Sequence, residues 1–228
     1  MKHFKSLTFF TILFVNFSFG QSYIGHTVDN YSGIQGVSYN PSNIVASHFK
    51  SDINLISVSG FGGSDYFGIN VQDIINSDGG FDFEDDAERF PSNDNNFFFN
   101  ADILGPSFML NINKKNSIGI ITRARGFFNI NKINGELYES VADDFDIDND
   151  FDFDSTDLNG TIHVWGEVGL AYGRILMDKQ NHLLTGGVTL KYLMGAGGLF
   201  LNSPELQGQY AAASQTLQTQ GSLSYGTT

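Results

Sequence analysis

The chain has no cysteine. Disulfides are therefore excluded, and stability must come from packing and backbone pairing. A lipoprotein anchor, which needs a cysteine at the new N-terminus, is excluded too. Long apolar runs are missing: after the first 20 residues no stretch is apolar for even 12. A helical membrane protein needs about 20 such residues per span and is ruled out. Basic residues are scarce, 12 Lys and Arg against 25 Asp and Glu. Nucleic acid is a poor partner, because its binding requires clustered cations. Proline occurs only 4 times.

The first 20 residues have a separate logic. Lys2, His3 and Lys5 form a basic start, residues 7–15 an apolar run of nine, and Ser18 and Gly20 put small residues at −3 and −1 of a cleavage site. This is the grammar of a secretory signal peptide, and the run is too short to span a bilayer. Cleavage would leave Gln21 first. It would remove two lysines and leave 10 basic residues against 25 acidic, a net charge of −15.

What is abundant is Phe (22) and Gly (26). Aromatics and glycine in alternating segments suit a β-barrel wall better than a soluble α/β domain. Four segments alternate with period 2, which predicts strands with two different faces. In residues 117–131, Ile118, Ile120, Ala124, Phe128 and Ile130 share one face, and Arg123, Arg125, Phe127 and Asn129 the other. In residues 97–113, Phe97, Phe99 and Ile103 give way to Phe108, Leu110 and Ile112 in the opposite parity. That slip at Gly105-Pro106-Ser107 predicts a β-bulge. Residues 161–177 set Ile162, Val164, Val168, Leu170 and Tyr172 against His163, Trp165 and Glu167. Residues 183–195 set Leu184, Val188, Leu190, Tyr192 and Met194 against Thr185, Gly187, Thr189 and Lys191. A weaker strand is read over residues 49–60, and another near Gln218.

Each strong segment covers 13 to 17 residues. Soluble strands average about 5 or 6, and a membrane strand needs about 9 to 11. Links at 114–116 and 178–182 are tight, whereas those at 62–96, 132–160 and 196–217 are long. Short and long alternate, as periplasmic turns and external loops do in outer-membrane barrels. Of the 25 acidic residues, 9 lie in residues 62–96 and 10 in residues 132–160.

The predicted organisation is a signal peptide (1–20), a periplasmic N-terminal or plug segment (21–48), and an all-β, antiparallel transmembrane barrel (49–228) with outer-membrane lipid around it. Five or six strands fall short of the eight of the smallest common closed barrel. The expectation is therefore a truncated, N-terminal part of one.

Lumen-facing candidates are Asp102, Arg123, Arg125, Trp165, Glu167 and Lys191. Arg123 and Arg125 could form a cationic strip for anionic solutes; the plainer account is internal pairing, with Asp102 as their diagonal partner. Glu167 and Lys191 are predicted within salt-bridge reach. The eight aspartates of residues 143–157 make Asp146, Asp148, Asp150 and Asp152 weak candidates for Ca²⁺. The segment lacks the Gly and Glu of an EF-hand loop, and the plainer account is a solvated acidic loop. No other cofactor is implied. No catalytic constellation is present: no nucleophile elbow, no phosphate loop and no metal-ligand spacing of histidines. His163 reads as packing beside Trp165.

Asn40-Pro41-Ser42, taken alone, is a turn. Together, the stretch DNYSGIQGVSYNPSNI and the hairpin GPSFMLNINKKNSIGIITRARGFFNIN resemble a Bacteroidota outer-membrane family of unknown function. That family is similar to the long-chain fatty-acid transporter class and to the PorV-type barrel of the type IX secretion system. The resemblance implies a barrel and gives Asn40 and Pro41 the place of an Asn-Pro-Ala motif before the first strand. Ser42 departs from it. Members often precede an OmpA-like domain, which these residues do not contain. The resemblance leaves open transport of a solute, hydrophobic in the fatty-acid class, or a scaffold for a secreted or periplasmic protein. A soluble periplasmic β-sandwich is the third reading.

Overall fold

The computed structural model describes residues 29, 31–70, 72, 74, 82–143, 145, 148–179 and 182–228. The expected signal peptide and residues 21–28 lie outside the described residues. In chain order the elements are α1 (Gly33–Val37), α2 (Asn43–Ala46), β1 (Ser51–Asn54), β2 (Ser57–Ser64), β3 (Phe67–Gly68), α3 (Phe83–Asp86), β4 (Glu88–Arg89), β5 (Asn95–Leu104), β6 (Ser107–Asn113), β7 (Asn116–Ile133), α4 (Gly135–Ala142), β8 (Phe151–Lys179), β9 (His182–Ala211), β10 (Thr216–Gly221) and β11 (Ser224–Thr227). A 3₁₀ turn at Ala212–Ser214 joins β9 to β10.

The fold is all-β and mostly antiparallel, with about two thirds of the described residues in strand. One nine-stranded sheet runs β1-β6-β7-β8-β9-β10, with β2 on β5, β5 also on β7, and β11 on β9; β3 and β4 form a separate hairpin. The β1, β2, β5, β6, β10 and β11 ladders are antiparallel. Among the described residues no ladder joins β1 or β2 to β9, β10 or β11.

The bulge lies where the parity slips. Leu104 pairs with Arg123 and Phe108 with Ile120, so four steps on one strand match three on β7. The Gly105 N–H donates to the Thr122 carbonyl at 2.8 Å, and the Thr122 hydroxyl to the Pro106 carbonyl at 2.8 Å. Proline fits there because it has no N–H to leave unpaired.

Three boundaries differ from the sequence reading. The first strand is broken at Leu55 and Ile56 into β1 and β2. The long link expected at 132–160 is mostly structured: β7 continues to Ile133, α4 follows, and β8 starts at Phe151. The long link expected at 196–217 is strand, because β9 runs on to Ala211 and β10 returns along it. In these stretches neither face is uniformly apolar, so the pairing leaves no period-2 signature. The tight link at 178–182 narrows to residues 180–181, which lie outside the described residues.

The contacts divide the chain into two compact units: residues 1–54, 107–120 and 170–190, and residues 55–106, 121–169 and 191–228. In the first, Ile34 and Val37 of α1 and Ile44 of α2 are buried together with Met109 of β6. Three wall glycines admit these helices. A Cβ at Gly119 or Gly173 would lie 2.9 or 2.3 Å from Ile44, and one at Gly187 would lie 2.4 Å from the Pro41 carbonyl carbon. The second unit buries Leu104, Ile121, Ile133, Leu137, Phe153, Leu158 and Tyr210.

Candidate functional site

The parity of β5, β7 and β8 sorts charge from hydrocarbon in an unusual sense. Phe99, Ile103, Phe128, Ile162, Val164 and Val168 are exposed, while Asp102, Arg123 and Glu167 are buried. On β8 the contrast is between neighbours: Val168 is 43% exposed and Glu167 5%. Buried charges are rare unless paired.

Here they are paired. Asp102 accepts from Arg123 Nε at 2.6 Å, and its second oxygen is held by another guanidinium nitrogen of Arg123. Arg125 bridges the two carboxylates, with Nε 3.7 Å from Asp102 and a terminal nitrogen 3.6 Å from Glu167. Trp165 Nε1 donates to Glu167 at 2.8 Å, and Lys191 Nζ donates to its other oxygen at 3.0 Å. The Arg125 guanidinium stands 5.1 Å from the centre of the Trp165 ring, a cation–π contact. The six residues singled out from sequence thus form one network over β5, β7, β8 and β9. The expected Glu167–Lys191 pair and the expected use of Asp102 as a partner for the arginines are both present. The geometry favours internal pairing over a free cationic strip. The network still carries three cations to two carboxylates, and the side chains of Arg125 and Lys191 are 37% and 32% exposed.

Beside it is a feature the sequence reading did not assemble. Phe127, His163, Trp165, Leu193, Gly195 and Gly197 line a cavity of about 670 Å³. The Phe127 ring centre is 5.2 Å from His163 and 6.1 Å from Trp165. His163, expected to pack beside Trp165, sets its ring against Phe127. The available signal was Leu193, an apolar residue that follows Thr185, Gly187, Thr189 and Lys191 in one parity of β9.

The remaining candidates lie apart from one another. Asn40 makes an Asx turn, its Oδ1 accepting from the Ser42 N–H at 3.2 Å and the Ser42 hydroxyl at 2.9 Å. Pro41 packs on Gly187. Asp146 lies outside the described residues. Asp148 precedes β8, Asp150 accepts from the Ala212 N–H at 2.8 Å, and Asp152 is exposed on β8. Among the described residues no three acidic or histidine side chains gather as a metal site would need.

Just after β2, Tyr66 is buried among Phe67, Phe97 and Tyr138. Burial first, and the Glu139 carboxylate second, push the Tyr66 phenol up to about 12. Burial would raise the Asp65 carboxyl, but hydrogen bonds from the Asn96 N–H and from the amide groups of Asn96 and Asn95 outweigh it and hold the group below its usual value. Arg89 closes the cluster with a 2.6 Å bond to Glu139.

No curated protein and no solved structure matches this chain. One family model matches residues 41–228, which takes in Pro41, α2, every strand and every network residue. The chain belongs to the family of unknown function DUF5723.

Proposed function

We propose that this chain is an outer-membrane β-barrel protein, of the Bacteroidota type similar to the fatty-acid transporter and PorV-like barrels, and that it passes a small, largely apolar solute rather than catalysing a reaction. The observation that carries this is the inverted wall: along β5, β7 and β8 hydrocarbon is exposed and charge is buried. A soluble sandwich would place them the other way round. Lipid can cover the exposed face, and a wet interior can hold the ion pairs. Closure of the sheet belongs to the proposal, because an open edge cannot sit in lipid. The N-terminal helices on Gly119, Gly173 and Gly187 act as a plug on the inner face. The test is expression of the full chain with its leader in a Gram-negative host, membrane fractionation, and swelling of liposomes carrying the purified protein. Recovery as a compact monomer without detergent would sink the proposal, and liposomes impermeable to every solute tried would sink the transport role.

A second reading, a surface scaffold, is favoured by the ordered cluster around Tyr66 and by Phe83 and Phe90, which are exposed next to it. It predicts a stable partner lost on replacing residues 143–150, which leaves β8 intact.

A further inference from the structure

The two units treat their cations differently. In the second, every lysine and arginine, from Arg89 to Lys191, is within ion-pair reach of a carboxylate. In the first, after residue 20, Lys50, Lys114, Lys115, Arg174 and Lys179 are all exposed, and among the described residues none has an ion-pair partner. Carboxylates are few there and mostly engaged. Asp52 accepts from the Ile34 N–H and Asp29 from the Tyr31 N–H, each at 2.8 Å, which leaves Asp178.

Backbone pairing gathers these cations. The Lys50 carbonyl accepts from the Asn111 N–H of β6 and the Lys115 carbonyl from the Ile175 N–H of β8, both at 2.9 Å. Lys50, the Lys114-Lys115 turn and Arg174 therefore sit at one end of the neighbouring strands β1, β6, β7 and β8. Asn113 Oδ1 accepts from the Lys115 N–H at 2.9 Å and the Asn116 N–H at 3.0 Å, which pins the turn with both lysine side chains exposed.

The same cations meet the end of the apolar face. On β6, Phe108, Leu110 and Ile112 are exposed, and the next residue in that parity is Lys114. On β8, the exposed run of Leu170 and Tyr172 is interrupted by Arg174. Between the two strands the Tyr172 hydroxyl donates to Asn116 Oδ1 at 2.7 Å. Hydrocarbon, then a phenol, then long-stemmed cations is the order of groups met on leaving a bilayer. A zwitterionic headgroup brings its own cation for each phosphate; an anionic one does not.

We infer that this end of the first unit docks on anionic phospholipid headgroups, with Lys114, Lys115 and Arg174 on their phosphates and Tyr172 at the edge of the hydrocarbon. The inference rests on the wall reading above and names the lipid at one end of that wall.

The experiment titrates the full chain, purified in a neutral detergent, with phosphatidylglycerol and with phosphatidylcholine, and counts bound lipid by native mass spectrometry. Phosphatidylglycerol is expected to bind saturably, and phosphatidylcholine about tenfold more weakly or less. An anionic lipid surface favours each nearby Lys or Arg about fivefold. Lys114→Gln with Arg174→Gln should therefore weaken phosphatidylglycerol binding about 25-fold, whereas Lys114→Gln with Arg174→Lys should lose only about fivefold. Lys132→Gln removes a cation already paired with Asp157, so it should change nothing and controls for net charge. If Arg174→Gln does not fold, Lys114→Gln with Lys115→Gln, both in the exposed turn, carries the same 25-fold expectation, roughly. Equal retention of the two lipids, or equal losses in Lys132→Gln and in the double variant, would overturn the assignment. Displacement of phosphatidylglycerol by soluble cell-wall peptides, which carry carboxylates, would overturn it too, because the cations would then face the cell wall. Each of these results leaves the wall reading standing. A protein that stays a compact monomer without detergent removes that reading, and the docking surface with it.

Discussion

Asp102 stands directly across the ladder from Arg125, yet both its carboxylate oxygens are held by Arg123, opposite Leu104 and one diagonal step away. Register therefore does not decide the pairing. The diagonal approach gives a two-point match of guanidinium to carboxylate, which is the stronger geometry. Arg125, the register partner, is left to span Asp102 and Glu167 at longer range and to lie over Trp165.

Removing one partner of this pair leaves a buried charge without compensation. Asp102→Ala is expected to destabilise the fold by about 3–5 kcal/mol. The double variant Asp102→Leu with Arg123→Met should recover most of that loss, since a buried pair replaced by hydrocarbon is often neutral. Urea unfolding of the protein in lipid vesicles measures both. Equal losses in the single and double variants would mean that the network is not a coupled unit.

The wall glycines make a contrasting prediction. Gly187→Ala would put a Cβ 2.4 Å from the backbone of Pro41, and a backbone atom cannot swing aside as a side chain can. The turn at Asn40-Pro41-Ser42 should be displaced, and α1 and α2 should become accessible to protease. Gly195→Ala, on the same strand, meets open space and should leave the digestion pattern unchanged. Ile44→Ala is expected to cost about 2–5 kcal/mol, as for other large-to-small core changes.

Much of this was legible before the structure, and the residues show why. Strict alternation in residues 117–131, 161–177 and 183–195 showed which side chains share a face, and so brought Arg125, Glu167 and Lys191 together. The parity slip at Gly105-Pro106 located the bulge. Residues 199–211 were illegible as strand because they contain Pro204 and polar groups on both faces, so β pairing there carries no hydrophobic signature. The choice of Arg123 over Arg125 was illegible because it depends on side-chain reach, to which register is blind. The cavity was illegible because glycine marks it by absence.

The cluster around Tyr66 should lose stability at both ends of the pH scale. The Tyr66 phenol is pushed up to about 12 from an ordinary value of 10.0. A raised folded value favours the neutral form. Its contribution is therefore complete below the ordinary value and is lost as pH rises through the folded one. Asp65 is shifted down, so its contribution is present above the ordinary carboxylate value and is lost as pH falls through its lower folded one. Tyrosinate absorbance should show a late step near pH 12, absent in Tyr66→Phe. Asp65→Asn should flatten the acid limb of hydrogen-exchange protection in residues 64–67. An unchanged alkaline titration in Tyr66→Phe would dissociate the late step from this residue.

The inverted wall itself can be tested within one strand. Val168 and Thr156 both lie on β8, and both are exposed. In water, arginine at either would be nearly neutral, because exposed surface positions tolerate charge. If lipid covers Val168, arginine there must be buried in hydrocarbon or drag water in with it, at about 2–4 kcal/mol near the bilayer midplane and about 0–1 near the interface. Thr156 sits in the acidic stretch that begins β8, between Asp154 and Asp157, and arginine there should be neutral or mildly favourable. Folding of the two variants into vesicles, followed by the slower-migrating unfolded fraction on cold gels, gives the difference. A deficit confined to Val168→Arg in lipid, and absent in detergent of matched charge, is expected; equal folding of both variants in lipid would mean that water, not hydrocarbon, meets the apolar face of β8.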